Sequence, residues 1–303
     1  MTARRFAQVD VFTTRAGYGN PLAVVLDAEG LDASSMQRFA AWTNLSETAF
    51  VLAPTTSHAD FRVRIFTPRR ELPFAGHPAV GATYAVLEAR TDFAGRTGLT
   101  LECTAGLLPV RVEGRGAART IFVQAPNAAF GAPAAALAGE LAHALGAAPN
   151  ADPPPRLVDN GPCWLVGELA DAGAVRALQP DLARVAALTT RYAAVGVCVV
   201  GRERGGDAAI AVRAFCPADG IAEDPVTGSA NAAIGAFLHA AGALRPPGHR
   251  YRASQGREIG RDGRVEVDVD ARTGTVAIGG RCVGCIDGSL EFDQDGDVGT
   301  GHD

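Results

Sequence analysis

No lysine occurs anywhere in this sequence; all 28 basic residues are arginine. That absence removes whole mechanisms: a Schiff-base lysine, a P-loop lysine on a nucleotide phosphate and a lysine general base are all excluded. Long apolar runs are missing too, and no stretch of about 18 apolar residues is available to cross a membrane as a helix. Positive charge is not in excess either. The formal net charge of −5 provides no basic field to gather nucleic acid or anionic lipid. Arg4 and Arg5 are followed by Phe6–Phe12, which alternates like a first strand rather than forming a secretory apolar core. The expectation is a cytoplasmic protein that acts on a small molecule, without nucleic acid or membrane as partner.

Cysteine is present but scattered. Its six positions fall mostly in strand-like apolar runs, and only Cys282-Val283-Gly284-Cys285 forms a close pair. That pair has no second ligand pair and does not sit between a strand and a helix, so free thiols are expected, with neither metal nor cofactor. The acidic tail Asp293-Gln294-Asp295-Gly296-Asp297 resembles the start of a calcium loop, but the chain stops before a bidentate glutamate, and a solvated tail is the reading.

What the sequence does contain is a long motif written twice. Val63-Arg64-Ile65-Phe66-Thr67-Pro68 precedes Glu71-Leu72-Pro73-Phe74-Ala75-Gly76-His77; Val212-Arg213-Ala214-Phe215-Cys216-Pro217 precedes Glu223-Asp224-Pro225-Val226-Thr227-Gly228-Ser229. Both read V-R-x-F-x-P, a spacer, then E-x-P-x-x-G, and they lie about half a chain apart. Two similar halves with two facing loops follow from that spacing. A length of 303 residues accommodates two ordinary domains. The Ala- and Pro-rich stretch from Pro126 to Pro155 marks the junction, giving expected domains of 1–127 and 128–303, with the last strand free to return to the first.

Each motif copy runs into a segment that is apolar almost all round, Ala79–Ala89 and Ala230–Ala241. A helix without a polar face belongs inside something, so an α+β fold is expected, each strand-rich half wrapping one buried helix. Strands are read at Gln8–Thr13, Leu22–Leu26, Ala49–Leu52, Phe61–Phe66, Leu99–Cys103, Leu107–Val112, Thr120–Gln124, Cys163–Val166, Tyr192–Val200 and Ala208–Phe215, with hairpins from Val265 to Phe292. Further helices are read at Ala33–Trp42, capped by Asp32 or Ser34, at Ala134–Leu145, with Pro133 at its start, and at Ala172–Leu178. The two buried helices begin at Gly76-His77 and Gly228-Ser229. Their free N–H groups and dipoles would form a two-sided cradle for a carboxylate, which names Gly76, Gly228 and Ser229 as substrate-binding residues.

Taken together, Gly19-Asn20-Pro21-Leu22-Ala23-Val24-Val25, Asn44-Leu45-Ser46-Glu47-Thr48-Ala49-Phe50-Val51, both motif copies and Ser254-Gln255-Gly256-Arg257 resemble the phenazine-biosynthesis PhzF family over nearly the whole chain. The resemblance implies the diaminopimelate epimerase-like fold, two pseudo-symmetric half-barrels each around a central helix, with the active site between them. It also implies a homodimer and a cofactor-independent isomerase that moves a proton and a double bond on a small carboxylate. Glu47 would be the shuttling acid/base, with His77 and Asp224 assisting. A carboxyl among Leu45, Ala49 and Phe50 should be pushed towards neutrality, and a helix N-terminus should keep His77 uncharged. A racemase or epimerase of the same fold would place a cysteine at each helix start, and neither copy has one. A non-catalytic carboxylate binder would not need three titratable side chains.

Overall fold

A computed structural model describes residues 3–132, 136–244 and 249–292, and these described residues form eighteen strands and six α-helices. The first half contains β1 (Ala3–Val11), β2 (Asn20–Val25), α1 (Ala33–Thr43), β3 (Thr48–Leu52), β4 (Phe61–Phe66), β5 (Glu71–Leu72), α2 (Gly76–Ala89), β6 (Gly98–Cys103), β7 (Gly106–Glu113) and β8 (Thr120–Gln124). The rest contains β9 (Ala129–Phe130), α3 (Leu137–Leu145), β10 (Arg156–Asp159), β11 (Cys163–Glu168), α4 (Ala172–Arg176), α5 (Leu182–Arg191), β12 (Gly196–Arg202), β13 (Ile210–Cys216), β14 (Ile221–Asp224), α6 (Gly228–Ala240), β15 (Arg250–Gln255), β16 (Gly263–Val269), β17 (Val276–Gly280) and β18 (Cys282–Glu291).

The doubling seen in the sequence is a doubling of topology. The order β18–β1–β2–β3–β4–β6–β7–β8 runs antiparallel twice, then parallel, antiparallel, parallel, and antiparallel twice again. The order β9–β10–β11–β12–β13–β15–β16–β17 repeats that series step for step. Antiparallel pairing of β8 with β17 joins the two series, and β18 returns to β1 across the first half.

Both central helices lie inside. Nearly every residue of α2 from Gly76 to Leu87 is buried, and α6 is buried continuously from Ala230 to Leu238. They share one core with the inner faces of the strands. The outer faces are covered separately, by α1 over β2–β4 and by α3, α4 and α5 over β11–β13. Strands buried on both faces therefore lose their alternation: β3 and β13 are buried at every position.

The repeated arginine and glutamate now have a structural role. Arg64 Nε and its terminal nitrogen donate to Glu71 at 2.7 Å each, and Arg213 repeats this fork on Glu223 at 2.9 and 2.7 Å. Each guanidinium also lies over the motif phenylalanine, Phe66 at 5.2 Å and Phe215 at 4.9 Å. The motif thus pins a short return strand, β5 or β14, beside its long partner. The longer spacer of the second copy is taken up by a 3₁₀ turn, Pro217–Asp219.

Several element boundaries differ from expectation. The strand read from Tyr192 begins only at Gly196, because α5 occupies the preceding segment and Tyr192 terminates it. Asp181 caps α5 by accepting from Arg184 N at 3.1 Å; that cap, with Leu182, Val185 and Leu188 at helical spacing, was the overlooked signal. The helix read to Leu178 stops at Arg176. β10 and β15 were missed as well: one is short, and the other carries Arg250, Arg252 and Ser254 on one face. Asp32 does cap α1, accepting from Ser35 N at 2.7 Å. The expected helix start at Pro133–Ala134 and the acidic tail lie outside the described residues.

Candidate active site

The two helix starts meet. A Cβ placed on Gly228 would stand 3.2 Å from His77 N, and one on Gly76 would stand 3.5 Å from Gly228 Cα. Ile278 Cδ1 lies 3.2 Å from either position, so the backbones approach as closely as two glycines permit. No side chain caps either helix: Ala75 and Thr227 precede them without a capping hydrogen bond. The first N–H groups of both helices are thereby left without a side-chain acceptor.

Around this junction the fold gathers Glu47, His77 and Asp224 from three elements. Glu47 ends the loop between α1 and β3, His77 is the second residue of α2, and Asp224 is the last residue of β14. Glu47 Oε2 and His77 Nε2 lie 3.5 Å apart, with side-chain exposures of 17% and 7%. Neither atom makes a hydrogen bond within the protein. Asp224 is buried, and both its oxygens are occupied: Oδ1 accepts from Asn20 Nδ2 at 3.3 Å, and Oδ2 accepts from the Thr227 hydroxyl. Ser229 is half-buried, and its carbonyl accepts from Asn160 Nδ2 at 2.9 Å.

Burial sets the charges. It raises the Glu47 carboxyl to about 7, opposed by the neighbouring Ser46 hydroxyl. It lowers His77 to about 4, opposed by the charge of Asp224. Asp224 is raised by burial and then by Glu47. Desolvation thus keeps His77 neutral, in the direction also expected of a helix N-terminus. At neutral pH the site holds a neutral imidazole beside a carboxyl poised to gain or lose a proton.

Four buried amide side chains around α6, those of Asn20, Asn160, Asn231 and Gln255, are not among the site residues expected from sequence. Asn20 reaches across from β2 to Asp224 and to Val226 O at 2.8 Å. Gln255 Oε1 accepts from Thr227 N and Asn231 Nδ2, both at 3.0 Å, while its Nε2 donates to Asp224 O at 3.1 Å and the Thr227 hydroxyl at 2.8 Å. Asn160 binds the helix at Ser229 O. Their burial is what distinguishes Asn20, Asn160, Asn231 and Gln255, and only Asn231 stands in an apolar run where the sequence could flag it.

All six cysteine thiols are shifted up, away from the reactive thiolate. Cys216 is buried at the end of β13, and burial, followed by the charge of Asp224, pushes its thiol well above the usual range. Cys282 and Cys285 are both free; Cys282 is pushed up to about 12 by burial, and Cys285 is exposed where the β1–β18 register shifts. Among the described residues no cluster of three or more His, Cys, Asp or Glu could hold a metal ion. No described helix is long and apolar enough to cross a membrane.

Comparison with known proteins agrees with this architecture. A family model for phenazine biosynthesis-like proteins (PhzC-PhzF) matches residues 9–288. Antisense-enhancing sequence 1 of Schizosaccharomyces pombe is 36% identical, covering 95% of this chain and 99% of the relative. Trans-2,3-dihydro-3-hydroxyanthranilate isomerase of Pseudomonas aeruginosa is 37% identical, covering 86% and 88%. A PhzF-family crystal structure from Bacillus anthracis superimposes with a TM-score of 0.83 at 27% identity, covering 96% of this chain and all of that one. The doubled topology, the paired helix starts and these matches place the chain in the phenazine biosynthesis-like PhzF family, as an isomerase.

Proposed function

We propose that this isomerase moves a double bond in a small cyclic or amino-acid-like carboxylate by shuttling a proton through Glu47. The observation that carries this reading is the contact between Glu47 Oε2 and His77 Nε2, 3.5 Å apart, both buried and neither hydrogen-bonded within the protein. The substrate carboxylate lies at the opposed helix starts, bound by N–H groups at Gly76, Gly228 and Ser229. Glu47, as carboxylate, takes a proton from a carbon next to the unsaturated system. The released electron pair forms a new double bond, the old one shifts, and Glu47 returns the proton to the far carbon. A carboxyl near 7 suits both halves of this exchange, since it neither holds the proton too tightly nor refuses it. His77 and Asp224 orient and polarise without gaining or losing a proton overall.

The substrate of the Pseudomonas aeruginosa relative, trans-2,3-dihydro-3-hydroxyanthranilate, is the first probe. In deuterated water the wild type should convert it and incorporate deuterium at the protonated carbon. Glu47→Gln should stay folded and lose at least about 10²-fold in that incorporation. Unchanged incorporation in the variant would remove Glu47 from the mechanism; a silent wild type would remove this substrate class.

A further inference from the structure

We propose that Asn20 fixes His77 as the neutral Nε2–H tautomer, so that the histidine presents a hydrogen-bond donor, and not a base, to Glu47 and the substrate. The inference rests on the site proposed above and extends it to a residue acting through His77. Asn20 is fully buried, and its amide nitrogen faces three groups. Val226 O lies at 2.8 Å, Asp224 Oδ1 at 3.3 Å and His77 Nδ1 at 3.5 Å. A carbonyl and a carboxylate can only accept, so the atom turned towards them must be the NH₂ group. Flipping the amide would set its oxygen against both of those acceptors, and the orientation is fixed by chemistry.

The histidine follows from the amide. With an NH₂ group on its Nδ1 side, a proton on Nδ1 would oppose a donor. Neither carboxylate oxygen of Asp224 is hydrogen-bonded to the ring; their partners are Asn20 and the Thr227 hydroxyl. Nδ1 is therefore the acceptor, and the single proton of the neutral ring sits on Nε2, the atom facing Glu47 Oε2. Carboxylates and backbone carbonyls behind metal-ligating histidines likewise set the imidazole tautomer through the ring nitrogen that does not face the site. The charged or titratable groups facing this ring are Glu47 and Asp224, one on each side.

The test needs no substrate. In ¹⁵N-histidine-labelled protein near pH 7, long-range ¹H–¹⁵N correlation spectra report which nitrogen of each of the six histidines carries the proton, and His77→Gln identifies the relevant signals. The expected result is a bare Nδ1 and a protonated Nε2. Asn20→Asp replaces the donor by an acceptor and should move the proton to Nδ1 or yield the imidazolium. Asn20→Ala, which adds no charge if the aspartate variant fails to fold, should leave a tautomer mixture. A wild-type Nδ1–H signal overturns the proposal outright, as does a tautomer unmoved in either variant. Because the readout is spectroscopic, it fails or holds independently of deuterium exchange through Glu47.

Discussion

Glu47 shows how burying a carboxyl works against stability. Its folded value, about 7, lies above the ordinary 4.5, so the folded protein holds a proton that the unfolded chain has released. Stability then falls as pH rises from about 4.5 to 7 and stays lowered above that. His77 works in the opposite direction. Its folded value, about 4, lies below 6.5, so stability rises with pH across that window. Glu47→Gln should accordingly melt higher than wild type above pH 7, by up to about 3 kcal/mol, with the gain vanishing below pH 4.5. Thermal unfolding at several pH values checks this; a variant less stable than wild type at pH 8 would contradict the burial of the charge. kcat/KM should rise through about pH 7, as the free carboxylate appears.

At the scale of elements, the doubled motif divides into residues that match and residues that do not. The matching Arg, Phe and Glu fasten β5 to β4 and β14 to β13 with the same forked ion pair. The pairs differ in burial. Arg213 and Glu223 are each 8% exposed, whereas Arg64 and Glu71 are 25% and 31% exposed. Arg213 also donates to Leu178 O at 2.7 Å. Arg213→Ala should therefore cost about 3–5 kcal/mol, since it strands a buried carboxylate. Arg64→Ala should cost only about 1 kcal/mol. Equal losses in denaturant titrations would show that burial does not distinguish the copies. The mismatched positions, Leu72 against Asp224 and His77 against Ser229, are where the site acquires its asymmetry.

Across the whole molecule, the order of strands in space departs from their order in sequence at one place that matters. β18 is the last described strand, yet it pairs with β1 along Ala3–Val11 and completes the first half. β9, its counterpart in the second half, pairs over only two residues. Deleting residues 282–303 should therefore strip β1 of a partner along its full length and abolish cooperative folding of both halves, because β1 borders the core that α2 and α6 share. Circular dichroism melts would record this as loss of a sharp transition; a truncated chain with wild-type melting would contradict it.

What the sequence determined by itself was set by local chemistry. Two apolar helices without a polar face had to be buried, and a motif repeated at half-chain spacing had to fold twice. Asp32 had to cap a helix, and a carboxyl among apolar neighbours had to resist ionisation. Tertiary structure decided what depends on distances between remote segments. Asn20 stands some two hundred positions from Asp224 and Val226, so no local pattern could show that its amide bridges to them and to His77. The return of β18 to β1 and the closeness of Gly76 to Gly228 are of the same kind. Propensity and periodicity act along the chain; hydrogen-bond partners and burial act across it.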